Sequence, residues 1–317
     1  LKRVEANVVV VGGGPAGAVA ARALARRSID VMLVTQRRSG TDRLELVSPR
    51  TVAAFEAAGL GHLLARVAIA GPCRAIEHVD RAGRKTRQLF GHGEAAAFVV
   101  ERRALDEALL DAAERAGAIV REGRVRTCRP TSGGFELDAG SLDGPLRIKA
   151  RQVVDATGRP ASIARRLGAK SVRGDRRLAV PVEAGPALQG ELMRVAWDEQ
   201  GWVTTMTGPS RREDWRVAPP GAFKDRHRGV SFDATPRVSV PAADEGWVAI
   251  GDAAAAFDPV NSQGLEHAFS SATVAAGAII SGGRFTRDSG RIYDAANRLT
   301  ALAADHGRMA VYGSAEL

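Results

Sequence analysis

Along the chain, unbroken apolar runs alternate with stretches of helical spacing. Residues 7–11 (NVVVV) are one such run, as expected of a strand buried on both faces of a parallel sheet. Residues 16–27 follow as an alanine-rich helix and residues 31–34 (VMLV) as a second strand, which predicts a βαβ opening. Residues 51–65 (TVAAFEAAGLGHLLA) and 102–117 (RRALDEALLDAAERAG) each read as an amphipathic helix. In the second of these Leu105, Ala108, Leu109 and Ala112 share a face, Gly117 caps the end, and residues 118–121 start another strand. From 125 to 150 the pattern shortens to strand pieces with turn signals at Ser132-Gly133-Gly134 and Asp143-Gly144-Pro145, a small antiparallel meander. Residues 152–156 (QVVDA) return to a buried strand. Residues 171–245 carry Trp197, Trp202 and Trp215 in strand-like pieces that predict a second sheet. Residues 246–250 (GWVAI) re-enter the core, and a loop then leads to a long helix over 264–281. The expected architecture is a nucleotide-binding α/β domain interrupted by sheet-forming segments, with its ligand at the carboxyl ends of the parallel strands.

Three segments carry candidate chemistry. Gly12-Gly13-Gly14-Pro15-Ala16-Gly17 supplies G-x-G-x-x-G between a strand and a helix. Gly12 permits the tight turn, Gly14 lets a pyrophosphate approach the backbone, and Gly17 allows close helix–strand packing. The motif alone does not separate FAD from NAD(P). The second strand lacks the acidic residue that grips a ribose and ends in Thr35-Gln36-Arg37-Arg38, and arginines there can receive the 2′-phosphate of NADP. The second segment runs from Val153 through Asp155, Ala156, Thr157, Gly158 and Arg159 to Arg165. Its Asp155 is either a cofactor residue or an ordinary strand-end cap for the next helix. The third, Gly251-Asp252 through Phe257-Asp258-Pro259-Val260-Asn261-Ser262-Gln263-Gly264, delivers a carboxylate suited to a polyol. It then leads to a helix N-terminus that stabilises negative charge, such as that of a reduced flavin. An NADP dehydrogenase has no use for this third element.

Together, in this order and spacing, the three segments resemble the FAD-dependent monooxygenase, tryptophan halogenase and geranylgeranyl-reductase superfamily with the p-hydroxybenzoate-hydroxylase fold. The resemblance covers about 1–175 and 245–285 and is poor in the substrate region. It implies an α/β fold in which a Rossmann-like FAD-binding domain (1–70, 98–170 and 246–285) is interrupted by a mainly antiparallel substrate-binding sheet (71–97 and 171–245). A C-terminal helical segment, 286–317, follows. It further implies that Gly12, Gly14, Pro15, Ala16 and Gly17 hold the FAD pyrophosphate. Thr35 and Gln36 stand where the ribose-binding Glu usually sits, Arg102 matches an arginine that contacts the cofactor, and Asp155 and Gly158 belong to a middle motif. Gly251 and Asp252 hold the ribityl chain, and Pro259, Asn261, Ser262, Gln263 and Gly264 form the loop beside the flavin ring. Two residues separate Asp155 from Gly158 where many hydroxylases have none; the DATGR form is similar to the halogenase and reductase branches. Thr35 and Gln36 are neutral, so they are expected to hold a ribose less firmly than Glu.

The reaction implied is hydroxylation of an aromatic ring through a flavin C4a-hydroperoxide, with FAD and O2 supplying the chemistry. A single dinucleotide fingerprint means that NAD(P)H binds transiently or that a separate reductase supplies electrons. His267 follows the flavin loop by one turn and is either a catalytic residue or a helix residue satisfied by its neighbours. A halogenase needs a lysine between flavin and substrate and a W-x-W-x-I-P segment. The stretch Trp197 to Val203 does not match, and Lys85 lies in the polar RAGRKTRQ segment, the pattern of a solvated hairpin tip. FDPVNSQGLEHAFSSA and DATGRPASIARRLGA are most similar to flavoproteins that mature tryptophan-derived quinone cofactors of amine dehydrogenases and oxidases. That implies a tryptophan in a partner polypeptide as the aromatic substrate. Hydroxylation of a polyketide or other small aromatic, halogenation, and a flavin-binding maturation scaffold are the alternatives.

Composition changes this picture little. At 317 residues the chain has room for a sizeable core, and 45% hydrophobic with 26% charged residues is ordinary for a globular protein. The net charge of +9 comes from scattered residues, and all but five of the 45 basic residues are arginines. Aromatic content of 5% argues against a nucleic-acid stacking platform. Cys73 and Cys128, without metal spacing, suit a reducing compartment, and the six histidines (62, 78, 92, 227, 267 and 306) lack ligand spacing, so no metal is expected. No apolar run approaches the roughly 18 residues of a membrane span and no signal peptide opens the chain, so the cytoplasm is expected. The start at Leu1 and the abrupt polar, Pro-rich pieces of 205–245 are what a trimmed chain would show.

Overall fold

The structure, a computed structural model, describes residues 2–36, 43–90, 96–141, 144–183, 193–223 and 230–314. Lys2–Val11 forms the centre of a seven-stranded sheet. Val31–Thr35 and Gly144–Asp155 flank it in parallel; Ile119–Thr131 and Trp247–Ala249 continue the parallel array on either side. Val8, Val9 and Val10 are fully buried, which is why this strand carries no polar alternation. Helix Pro15–Ala25 covers it and packs against helices Arg102–Arg115 and Gly264–Gly282. The alanines of the first helix (Ala18, Ala20 and Ala21, all buried) permit that close approach.

The register decides where a ligand could lie. Val34 pairs with Val11, Val11 with Asp155, and Asp155 with Ala249, so four strands end in one row. The chain leaves the sheet there at Thr35-Gln36, Gly12, Ala156 and Ile250-Gly251.

A second seven-stranded sheet runs in the order Phe232–Asp233, Leu178–Val182, Arg212–Ala218, Trp202–Thr207, Met193–Trp197, Ala75–Val79 and Lys85–Leu89. All its pairings are antiparallel except that of Met193–Trp197 with Ala75–Val79. One face, with Val195, Trp197, Trp202 and Val217, shares a core with Leu44, Leu46, Ala97 and Val99 of a three-stranded sheet and with Val260. Lys85–Leu89 is exposed throughout.

Two details of the sequence reading are corrected. Residues 51–65 are two helices, Pro49–Ala57 and Gly61–Val67. Gly59 takes φ +66° between them and the amides of Gly59 and Leu60 return to Glu56 and Phe55, a left-handed helix stop. The strand expected at 152–156 is not separate from the meander: Gly144–Asp155 is one strand of 12 residues. Its first half pairs with Gly134–Ser141, and from Leu146 to Asp155 it pairs with Lys2–Val11, so the meander extends the main sheet. The C-terminal helix spans Arg287–Ser314, and Tyr293 on it donates to Ala249 O at 2.8 Å. No helix among the described residues is long and apolar enough to cross a membrane.

Candidate cofactor site

At the row of strand ends the three motif segments touch. Gly12 has φ +112°, and a Cβ there would lie 2.2 Å from Ala156 O. A Cβ on Gly17 would lie 1.9 Å from Gly12 O, and one on Gly13 would lie 2.4 Å from Thr35 Oγ1. The third segment closes on the first: Gly251 has φ +55°, and its Cβ would be 2.8 Å from Ala16 Cβ. Gly14 differs from all of these. Its φ of −72° suits any L-residue, and nothing lies within 4 Å of where its Cβ would be. It precedes Pro15 at the start of a helix that no side chain caps, so backbone N–H groups are left for an anion.

Asp155 lies inside the turn of the second segment. The carboxylate is fully buried; Oδ1 accepts from Thr157 N at 2.9 Å, and Oδ2 accepts from Ile163 N at 2.9 Å and Ala164 N at 2.7 Å. These bonds close the turn that carries Gly158 (φ +72°) and start helix Ser162–Arg166. Burial pushes its carboxyl above the usual range while those amides pull the other way. It is the capping residue of this turn.

Asp252 presents the opposite case. Its side chain is 38% exposed, and Arg159 Nε lies 3.6 Å from Oδ2, an ion pair longer than a hydrogen bond. The lone pairs of a fixed carboxylate thus remain for hydroxyl donors. Ser271 Oγ accepts from Gly251 N at 2.9 Å and donates to His267 O at 2.6 Å, which anchors the turn to helix Gly264–Gly282.

Beyond it, buried Asp258 accepts from Val260 N at 3.1 Å and pairs with Arg177 at 3.6 Å, fixing the short helical turn Pro259–Asn261. Ser262 follows with φ +48°, a left-handed conformation unusual outside glycine. Gln263 and Gly264 start the long helix without a side-chain cap. The side chain of Asn261 lies outside what is described. Thr35 sits beside Gly13, its hydroxyl making only a long 3.4 Å bond to Gln36 O, and Gln36 is exposed. Arg37 and Arg38 lie outside the described residues. Arg102, at the start of the helix beside the glycine helix, is clamped: Nε donates to Asp106 at 2.9 Å and Nη1 to Glu45 at 3.1 Å. Burial disfavours its charge, but Glu45 and Asp106 outweigh burial and hold it cationic.

His267 is buried behind the loop, its ring edge-on to Phe257 at 4.9 Å and hydrogen-bonded to the Gly251 backbone, with Nε2 unpartnered. Burial lowers its pKa to about 4 despite the nearby Asp252. The unfolded chain takes up this proton below about pH 6.5, and the folded chain does so only near 4. Stability is therefore lost as pH falls through that window, by about 2 kcal/mol at pH 5 from this residue. We expect His267→Gln to flatten the fall in stability between pH 7 and pH 5 in urea titrations; equal falls in both proteins would contradict the burial of a neutral ring.

Sequence reasoning missed Gly13, Arg159, Ser271 and the Asp258–Arg177 pair. Arg159 had a signal, a cation directly after a buried turn, which must find partners; the others depend on which distant segment arrives beside them. Among the described residues no group of three or more His, Cys, Asp or Glu could hold a metal. The open side of Gly14, the uncapped helix start and the half-exposed Asp252 carboxylate fit a pyrophosphate joined to a polyol, which is the FAD skeleton.

Comparison with known proteins bears on the same point. The family described as FAD binding domain matches residues 5–213. A menaquinone reductase of Mycobacterium tuberculosis is 24% identical over 328 residues, covering 86% of this chain and 76% of that protein. Among solved structures, the flavin-dependent brominase Bmp2 superposes with a TM-score of 0.78 at 16% identity, over 96% of this chain and 87% of the other. The peptidyl tryptophan dihydroxylase QhpG gives 0.70 at 24% identity, over 94% and 73%. At such identities the two structures speak for the fold. The family match spans most of the chain, which therefore belongs to the FAD binding domain family and is a flavin-dependent oxidoreductase.

Proposed function

We propose that this protein is an FAD-dependent monooxygenase that hydroxylates an aromatic ring, with a tryptophan side chain of a partner polypeptide as the substrate. The observation that carries the aromatic reading is the meeting of flavin loop and second sheet: Val260 packs into the cluster that holds Trp197 and Trp202. Further along that sheet Trp215 and Phe232 lie 5.4 Å apart and remain half-buried. The second sheet that meets the loop is thus rich in aromatic side chains. Bound FAD supplies the redox chemistry by which oxygen is activated. The protein's share is to receive the pyrophosphate at Gly14 and the Pro15–Ala25 helix start and to accept ribityl hydroxyls at Asp252. It also braces the Pro259–Gly264 loop through Asp258 and its Arg177 partner. NAD(P)H or a separate reductase supplies the electrons, and O2 the transferred atom.

The peptidyl-tryptophan substrate is supported by the likeness to QhpG. Coexpression with a polypeptide encoded beside it, followed by mass spectrometry, should show a gain of one or two oxygen atoms on tryptophan. No gain there, with hydroxylation of free aromatics, would move the reading to a small-molecule hydroxylase. A second reading has its own observation: the menaquinone reductase similarity spans most of the chain. Turnover of a quinone substrate without oxygen consumption would favour a reductase.

A further inference from the structure

We propose that Arg159 is the positioning residue of the cofactor site, setting Asp252 and the flavin loop against each other so that the carboxylate meets the FAD polyol. The proposal rests on the reading that FAD occupies this site. Arg159 leaves the main sheet just past the Asp155 turn, and its guanidinium engages three separate segments. Nη1 donates to Thr235 O at 2.8 Å, Nη2 donates to Phe257 O at 3.2 Å, and Nε faces Asp252 Oδ2 at 3.6 Å. Its own carbonyl accepts from Arg237 Nη1 at 2.8 Å, and Arg237 is paired with Asp233. The side chain is therefore held at both ends, with 23% exposure.

The division of its donors matters. Two go to carbonyl oxygens at the head of the flavin loop and at the segment returning from the second sheet. A planar fork serves such divergent acceptors, which a lysine ammonium on one axis does not reproduce. The remaining face lies beside Asp252 beyond hydrogen-bond distance, so it aims the carboxylate while leaving its lone pairs to the ligand. Asp252 and Phe257 lie on the one segment that leads into the flavin loop, and a single cation contacts both. Arg43, Asp233 and Arg237 are the other charges that act on Arg159, and none of them pairs with Asp252.

The test is FAD affinity of reconstituted apoprotein, read by quenching of flavin fluorescence, with apoprotein melting recorded alongside. Arg159→Ala should raise the FAD dissociation constant at least tenfold, and Arg159→Lys should recover only part of the loss. In the Asp252→Asn background, Arg159→Ala should add little, since the two act as a unit. Arg237→Ala removes a neighbouring arginine that donates to the Arg159 carbonyl and pairs with Asp233, and reports the cost of local loosening. Equal weakening by Arg237→Ala and Arg159→Ala, or additive effects of Arg159→Ala and Asp252→Asn, would overturn the proposal. If Arg159→Ala does not fold, Arg159→Lys alone decides it: wild-type affinity in that variant overturns the assignment. Wild-type protein that takes up no FAD overturns the underlying reading, whereas uptake unchanged in Arg159→Ala overturns the proposal alone.

Discussion

Gly14→Val should yield a protein that folds and melts within about 4 °C of the wild type but has lost most of its affinity for FAD. Neither the backbone nor the packing asks for glycine at this position, since φ is −72° and a Cβ would meet nothing within 4 Å. Valine at an N-cap costs up to about 1 kcal/mol. What it occupies is the approach to the backbone N–H groups at the start of helix Pro15–Ala25. A pyrophosphate held by those groups must come within hydrogen-bond distance of them, and a branched side chain stands in that path. We expect a rise in the FAD dissociation constant of roughly 100-fold, about 2.7 kcal/mol, with Gly14→Ala intermediate. Unchanged affinity in Gly14→Val would mean that no ligand approaches the backbone there.

Gly17→Ala should do the reverse, damaging the fold first. Its Cβ would sit 1.9 Å from Gly12 O, a backbone atom of the turn itself. Gly12 in turn has no room to yield, because its own Cβ position is 2.2 Å from Ala156 O. The helix must therefore move off the sheet, carrying Ala16 away from Gly251. Overpacking against backbone in a fully buried site costs about 3 kcal/mol or more. In a chain of this size that lowers the melting temperature of the apoprotein on the order of 5–10 °C. Apoprotein melting of Gly17→Ala within about one degree of wild type would contradict this account of the turn. The two glycines of one motif thus separate binding from folding, provided melting and affinity are measured on both.

How far the sequence carried can be judged from single residues. The valine run at 7–11 and the glycine turn after it were legible because each is a local pattern with one physical cause: burial on both faces, and a turn that has to approach a helix. The flavin loop was legible as a motif, and the structure brings Gly251 against Ala16 of the glycine turn and Asp252 beside Arg159. Asp155 shows the limit, because a strand-end aspartate reads equally as ligand and as cap. Only the positions of the Ile163 and Ala164 amides, at 2.9 Å and 2.7 Å, make it a cap. The break at Gly59 was in plain view, but apolar spacing on both sides of it hid the left-handed stop. Arg159, Ser271 and the Arg177–Asp258 pair join residues far apart along the chain, so nothing local announces them. The same holds for Arg43, whose guanidinium lies 5.4 Å over the Phe232 ring, while Phe232 packs on Trp215. Long-range approach, rather than local preference, decides which polar groups share a site.

The central claim is that the three converging segments hold FAD for oxygen transfer to an aromatic ring. The most direct measurement reduces the FAD-loaded protein under anaerobic conditions, adds isotopically labelled O2 together with a tryptophan-containing peptide, and weighs the product. The account predicts that one labelled oxygen atom appears on the indole for each reduced flavin consumed in coupled turnover. Reoxidation that releases all of the label as hydrogen peroxide or water, with every peptide and every free aromatic tried, would contradict it.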